Sequence, residues 1–364
     1  MKNFLSLLFC FSFAVLTYGD DDTFEEQDFK IKISSLPASY NYPARIDSHS
    51  SRTITMIGSF IYWQVMEGGL DLGHVFTTNQ YKAKEAYEVI NLDFKYKPGF
   101  KLSFGIDLWH DNWTILADYT WLHFSEKKYS QRKEPLFFAE GWNYYSVPTN
   151  SSYGKWKFRY DIIDLILSRP FYLGSCLTCA PYAGIKGGVL TQYFDGKYSV
   201  SFIVADYKLF TNSQKSYLVG PTFGSDNNWI VFDYCRLIAN ASFSLCYQHF
   251  KNFSSINYLW WNGEKDIELM HDALQTKKIQ LTPIITGAFG VGCGDYFGKF
   301  NNWHVDLSFL YEITYLFNQN YMRTLNTKLV QSTLSELHNY VYSPSYIADD
   351  LFLQGLTVSA RFDF

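Results

Sequence analysis

The chain of 364 residues is short of charge, of repeats and of long apolar runs. Charged residues make up only 18%, and 31 Lys and Arg against 35 Asp and Glu leave a net charge of −4. That balance supplies no basic face for a nucleic acid or another polyanion. Beyond residue 19 no uninterrupted apolar stretch approaches the roughly 20 residues that a membrane helix needs, which excludes a helical membrane protein. No repeat with a period of about 20 to 50 residues is present, so a solenoid is excluded too. No linker divides the chain into two domains. Cysteine is also scarce: Cys10 lies in the leader described below, and Cys176, Cys179, Cys235, Cys246 and Cys293 remain, an odd set that cannot all pair within one chain. At strand spacing Cys176 and Cys179 point to opposite faces, a poor arrangement for a metal or redox centre, and no cofactor is expected.

Rings are abundant. Aromatics make up 20% of the chain, as 32 Phe, 29 Tyr and 10 Trp, yet the mean hydropathy is −0.14. A transmembrane barrel combines these two properties, because lipid-facing and lumen-facing residues alternate and aromatic girdles mark both interfaces. The N-terminus supplies an export address: Lys2, an apolar core from Phe4 to Leu16, then Thr17-Tyr18-Gly19. Residues 1–19 are read as a signal peptide, with cleavage after Gly19. Residues 20–51, acidic at first and then polar with Pro37 and Pro43, read as a periplasmic lead-in, and 52–364 as the barrel.

Alternation then recurs along the chain. A first strand is expected over 52–64. In 90–108 Ile90, Leu92, Phe94, Tyr96, Phe100, Leu102, Phe104, Ile106 and Leu108 share one face, opposite Asp93, Lys95, Lys97, Lys101 and Asp107; the parity holds through Pro98-Gly99, so one long strand is predicted. After a turn at His110-Asp111-Asn112, Trp113, Ile115, Ala117, Tyr119 and Trp121 face out with Asp118 facing in. In 155–168 Trp156, Phe158, Tyr160 and Ile162 oppose Lys155, Lys157, Arg159 and Asp161, and the apolar parity then shifts to Ile163, Leu165 and Leu167, as an inserted bulge residue would cause. Further strands are expected over 171–190, 217–224, 229–250 and 279–293. They are followed by 303–315, with His304, Asp306, Ser308 and Glu312 inward, and by 351–364, with Arg361 and Asp363 inward. Asp195-Gly196 carries a hairpin signal and Ser225 to Asn228 reads as a turn. Long loops are placed at 125–154, 252–276 and 318–349. The count is 10 strands, or 12 if 229–250 breaks and 198–210 joins. The fold class is therefore an all-β transmembrane antiparallel barrel of 10 to 12 strands, with both termini periplasmic and long extracellular loops.

Several stretches also resemble a known family: IYWQVMEGGLD (61–71), FKYKPGFKLSFGIDLWHDNWTILADYTWLHF (94–124), YDIIDLILSRPFYLGSCLTCAPYAGIKGG (160–188), VGPTFGSDNNW (219–229), NASFSLCYQHF (240–250), HVDLSFLYEITYLFNQN (304–320) and LQGLTVSARFDF (353–364). In order and spacing they resemble the Legionella-type major outer membrane proteins, porin-like barrels also found in environmental chlamydiae. The resemblance implies an outer-membrane barrel with a pore function, and a last strand ending on Phe364 that is similar to the terminal aromatic signal read by barrel-assembly machinery. Where the family often carries a charge after Gly-Pro, Thr222 stands here.

Parity gives the lumen candidates as Asp93, Lys95, Lys97, Lys101, Asp107, Asp118, Lys155, Lys157, Arg159, Asp161, His304, Asp306, Glu312, Arg361 and Asp363. Such residues line an aqueous passage and set its ion preference, or else pair with one another into a plug. A surface adhesin or antigen built on a closed barrel is the alternative function. Less favoured is a protease or lipase using His304, Asp306 and Ser308, which lie too far apart along one strand to relay a proton unaided. No enzyme activity is therefore expected. The implied partners are outer-membrane lipid, small solutes or ions and assembly machinery; association of barrels and disulfides between chains stay open.

Overall fold

In the computed structural model the described residues are 53–76, 87–108, 113–131, 137–138, 148–173, 176–202, 205–232, 235–261, 264–297, 303–333, 336–346 and 349–364. The expected signal peptide and lead-in, and the turn at 109–112, lie outside them. Sixteen strands occur among these residues. They are β1 (Ile54–Glu67), β2 (Gly73–Phe76), β3 (Tyr87–Ile90), β4 (Tyr96–Asp107), β5 (Thr114–Gln131), β6 (Phe137–Phe138), β7 (Pro148–Ser168) and β8 (Phe171–Leu173). After these come β9 (Leu177–Phe202), β10 (Ala205–Phe232), β11 (Cys235–Trp261), β12 (Asp266–Phe297), β13 (Trp303–Asn320), β14 (Arg323–Thr333), β15 (Glu336–Tyr346) and β16 (Asp349–Asp363). No helix among the described residues is long and apolar enough to cross a membrane.

Ten of the strands close a barrel. β1 pairs on one side with β4 and on the other with β16, and antiparallel neighbours run round through β13, β12, β11, β10, β9, β7 and β5 back to β4. Followed through its pairs, Glu67 leads to Leu351, Leu316, Ile284, Ser244, Thr222, Gly184, Ile166, Leu116, Gly105 and finally Thr55, a stagger of 12 residues on β1. Such a stagger on ten strands tilts each by about 40° and leaves an interior that side chains can fill. At the closing seam Gly355 lies opposite Trp63, and a Cβ there would stand 2.2 Å from the carbonyl oxygen of Tyr62. β14 and β15 form a separate hairpin between β13 and β16.

The outer wall carries an apolar band. Phe60, Leu102, Phe104, Ile163, Leu165, Ile185, Phe223, Phe243, Phe289, Phe309 and Leu356 are all exposed, as lipid-facing positions must be. Rings bound the band: Tyr62 stacks on Tyr96 and Phe100 on Trp121 toward the outer side, while Trp303 stacks on Phe364 near the periplasmic end. β9, β10, β11 and β12 run to 26, 28, 27 and 32 residues, more than twice the roughly 9–11 that cross a bilayer. They therefore project well beyond it.

That projection overturns several expectations. The expected loops at 125–154 and 252–276 are strand over 125–131, 148–154, 252–261 and 266–276; the open stretch 191–210 is strand over 191–202 and 205–210, and Ser225 to Asn228 lies inside β10, which ends only at Phe232. The 318–349 loop contains the β14–β15 hairpin, and 171–190 is divided between β8 and β9. β4 begins at Tyr96, so 91–95 is not strand, and Ile90 and Leu92 are buried, not outward. No bulge interrupts β7, whose register with β5 and β9 is continuous from Ser151 to Ser168. Its buried side is Trp156, Phe158, Tyr160, Ile162 and Asp164 throughout. What changes along the strand is the medium outside, from water beside Lys155 to Asp161 to lipid beside Ile163 to Leu167.

Candidate functional site

The inner wall is organised in tiers. At the periplasmic end Arg236 grips the Asp306 carboxylate with both Nη1 and Nη2, and its Nε donates to Asn228 at 2.9 Å. Beside it Asp363 accepts from Arg361 Nε at 2.9 Å, from Thr55 at 2.7 Å and meets His304 Nδ1 at 2.7 Å. Thr114 donates to Asp107 at 2.6 Å. Above this base Ser59 and Ser359 hydrogen-bond at 2.8 Å. Asp226, Asn240, Ser242 and Thr286 are half-buried on the same inner face, so water reaches this part of the wall.

The next tier holds charge. Lys101 pairs with Glu312 and lies 4.8 Å over the Trp63 ring. Ser103 donates to Asp118 at 2.9 Å, and Lys186 donates to Asp164 at 2.7 Å. Opposite charges on facing strands thus satisfy one another, which makes the tier a set of pairs and not a ring of one sign.

Above the charges the interior is sealed. Ile61, Leu122, Trp156, Phe158, Leu190, Phe194, Leu316 and Leu351 show 0% exposure, so no water-sized space touches them. Two chain segments fold inward onto this layer. After β1 the chain turns at Gly69, φ 75°, and buries Leu70 and Leu72; at the end of β13 it turns at Asn318, φ 49°, and buries Gln319, Asn320, Tyr321 and Met322. Asn tolerates this left-handed conformation better than most residues, and Gly adopts it freely. The segments are tied to each other by Asn320 Nδ2 donating to the Gly68 carbonyl at 2.8 Å. Side chains bind them to the wall: Gln214 Nε2 donates to the Gln319 carbonyl at 2.7 Å, Gln248 Nε2 to Gln319 Oε1 at 3.0 Å, Asn252 Nδ2 to the Tyr321 carbonyl at 2.8 Å, and Tyr198 Oη to the Leu72 carbonyl at 2.9 Å. Trp156 donates to Gln192 and Gln192 to Glu67, each at 2.9 Å.

Among the candidate lumen residues, Lys97, Lys101, Asp107, Asp118, His304, Asp306, Glu312, Arg361 and Asp363 lie on the inner side, Lys97 paired with Glu126 at 3.0 Å. Six do not. Asp93 and Lys95 precede β4 and are exposed, with Asp93 held by Lys128 at 2.7 Å. Lys155, Lys157, Arg159 and Asp161 face outward, because the half of β7 that carries them stands above the lipid, where the packed interior takes the rings. His304 and Asp306 pair with Asp363 and Arg236, respectively, and not with one another. Glu67, Glu126, Asp164, Lys186, Asp226 and Arg236 were missed; their inward placement follows from register, to which local alternation gives no access.

Some solved outer-membrane proteins are similar to this chain at low identity. The outer membrane protease OmpT from Escherichia coli is 12% identical over 86% of this chain and 96% of its own, with a TM-score of 0.42. The Pseudomonas putida toluene transporter TodX is 8% identical over 86% and 89%, with a TM-score of 0.25. A Pseudomonas aeruginosa FadL homologue is 7% identical over 91% and 95%, with a TM-score of 0.24. No curated protein matches the sequence. A family model described as Legionella pneumophila major outer membrane protein precursor matches residues 51–364, and with that match over a closed ten-stranded wall, the chain belongs to this family of outer-membrane β-barrels.

Proposed function

We propose that the protein is a porin-like channel for small polar solutes and ions, closed in the described state by its two inward segments. The observation that supports this reading is the contrast between wall and closure. The wall is a continuous hydrogen-bonded ladder whose inner face is polar from the periplasmic end to the Lys101 tier, with Asp226, Asn240, Ser242 and Thr286 half-buried on it. The closure is held largely by side chains such as Gln214, Gln248 and Asn320, with the Leu72 N–H to Ile90 carbonyl bond and the terminal Asn320–Asp349 pair of the β13–β16 ladder as its ties to strand backbone, so it parts without unzipping the ladder of the wall below. Lipid surrounds the barrel, and assembly machinery reading the last strand delivers it.

Planar-bilayer recording tests the proposal. The folded protein is expected to show rare, brief steps, and a variant with residues 319–322 replaced by a Gly-Ser segment long-lived ones of defined size. Absence of steps from both, with folded migration on unboiled gels, would overturn it. In that event the second reading takes over, a surface adhesin or antigen on a closed barrel, which the sealed interior and the projecting β9 to β12 favour. Attachment of cells lost with the β9–β10 tip, but with conductance intact, would show that binding resides there.

A further inference from the structure

Outside the lumen, three lysines stand side by side on the outer wall. Lys215 on β10 is directly opposite Lys251 on β11, which is directly opposite Lys277 on β12. All three are exposed. Strands lie about 4.8 Å apart, so the three Cα positions span only about 10 Å. Like charges in directly opposed positions are destabilising. No acidic residue occupies an outward position among the described residues of 207–219, 245–257 or 271–281 to relieve them. The Lys127–Lys155 pair of β5 and β7 differs, because Asp195 of β9 faces Lys155.

The surface directly below the lysines is apolar. Tyr217 carries both Lys215, at 5.1 Å from its ring centroid, and Lys251, at 5.4 Å. Val219, Tyr247, Ile279 and Leu281 continue downward with 52%, 48%, 57% and 62% of their surface exposed. The row therefore sits where hydrocarbon gives way to headgroups, on the side of the barrel opposite the start of β1 and the end of β16, which is the outer leaflet. Three adjacent cations match a headgroup carrying more than one phosphate, and the apolar patch beneath matches its acyl chains.

We propose that Lys215, Lys251 and Lys277 form a binding site for a multiply phosphorylated glycolipid of the outer leaflet. The test uses the full chain in detergent, with lipid retention measured by native mass spectrometry. The probes are a bisphosphorylated acylated glucosamine disaccharide, the same lipid without phosphates, and phosphatidylglycerol. With each near-surface lysine contributing about 1 kcal/mol, the wild type is expected to hold the bisphosphorylated lipid roughly 100-fold more tightly than its dephosphorylated form. The K215Q/K251Q/K277Q variant should lose that preference and the triple arginine variant keep it, both with the heat-shifted migration of a folded barrel. An unchanged preference in the glutamine variant overturns the site. Equal retention of phosphatidylglycerol overturns the multiply phosphorylated ligand, and displacement by inorganic phosphate overturns the lipid.

Discussion

Replacing Lys186 with methionine keeps the length of the side chain and removes its charge, a direct probe of whether the charged tier is dry. Lys186 Nζ lies 2.7 Å from Asp164 Oδ2, and the two side chains are only 11% and 12% exposed. Asp164 Oδ1 has no hydrogen-bond partner, so the variant carboxylate keeps neither an ion nor a donor among the groups that now hold it. Removing one partner from a buried pair costs about 3–5 kcal/mol, whereas replacing both, as in Lys186→Met/Asp164→Leu, brings stability back to within about 1 kcal/mol. The coupling between the two sites should then exceed about 3 kcal/mol, the upper end for ordinary neighbours. Urea unfolding in lipid vesicles, followed by tryptophan fluorescence and by gel migration, measures it; the single variant's midpoint should fall by roughly 1–2 M. Single variants within about 1 kcal/mol of wild type, and additive, would refute the reasoning and mean that water solvates this tier.

Three other outcomes follow. Cys235 and Cys293 carry free thiols directly opposite one another on β11 and β12, and such positions have Cα atoms about 4.5–5.5 Å apart, within disulfide range. Mild oxidation of purified protein should join them within one chain, as peptide mapping reads out; cross-links between chains through either residue would contradict this. Lys208, buried between the Tyr198 and Tyr258 rings at 5.8 Å above the outer girdle, has its amine lowered by desolvation to about 7. Unfolding therefore takes up a proton between about 7 and the ordinary lysine range, so stability should rise with pH across that window by about 1.4 kcal/mol per unit at most, and Lys208→Met should flatten the rise. Deleting Phe364 removes its stack on Trp303 and the two backbone bonds to Ile54 at 2.8 and 3.0 Å. Outer-membrane levels should drop while molecules that do assemble conduct as before, and normal levels would count against an assembly role.

Legibility in the sequence depended on how many media a strand meets. β16, the 113–121 part of β5 and β13 each separate lipid from lumen over most of their length, and the alternation of Phe352 to Phe364 against Leu353 to Asp363 reads directly as outside against inside. β7 meets three media. Its rings at 156, 158 and 160 look lipid-facing by parity alone, yet they fill the interior, because above the bilayer the hydrophobic side of a strand is the one away from water. Turn chemistry misled in the same region. Asp195-Gly196 is mid-strand, and a Cβ at Gly196 would lie 1.8 Å from the Phe210 ring, so that glycine makes room for a packed aromatic and not for a bend. Asn227 and Asn228, turn formers by composition, are satisfied within the sheet by the Ala239 carbonyl and by Arg236. Lys186 and Asp164 become partners only through the β7–β9 register.

The level at which the barrel closes follows from the same inversion. Below it the inner wall is polar and the outer wall apolar; above it the order is reversed, with Trp156, Phe158 and Phe194 inside and Lys155, Lys157 and Arg159 outside. The two inward segments seal the interior where the exchange takes place. Backbone outside the ladder, such as Gly69 to Leu72, Asn318, Gln319, Tyr321 and Met322, leaves N–H and C=O groups that lipid cannot satisfy, so it is excluded from lipid contact. Placed inside a wall whose outer face is already hydrated, those groups find Gln214, Asn252 and Tyr198 when closed and water when open. A closure at this height therefore rearranges without presenting unsatisfied backbone to hydrocarbon, whereas one at the Lys101 tier would have to break buried ion pairs.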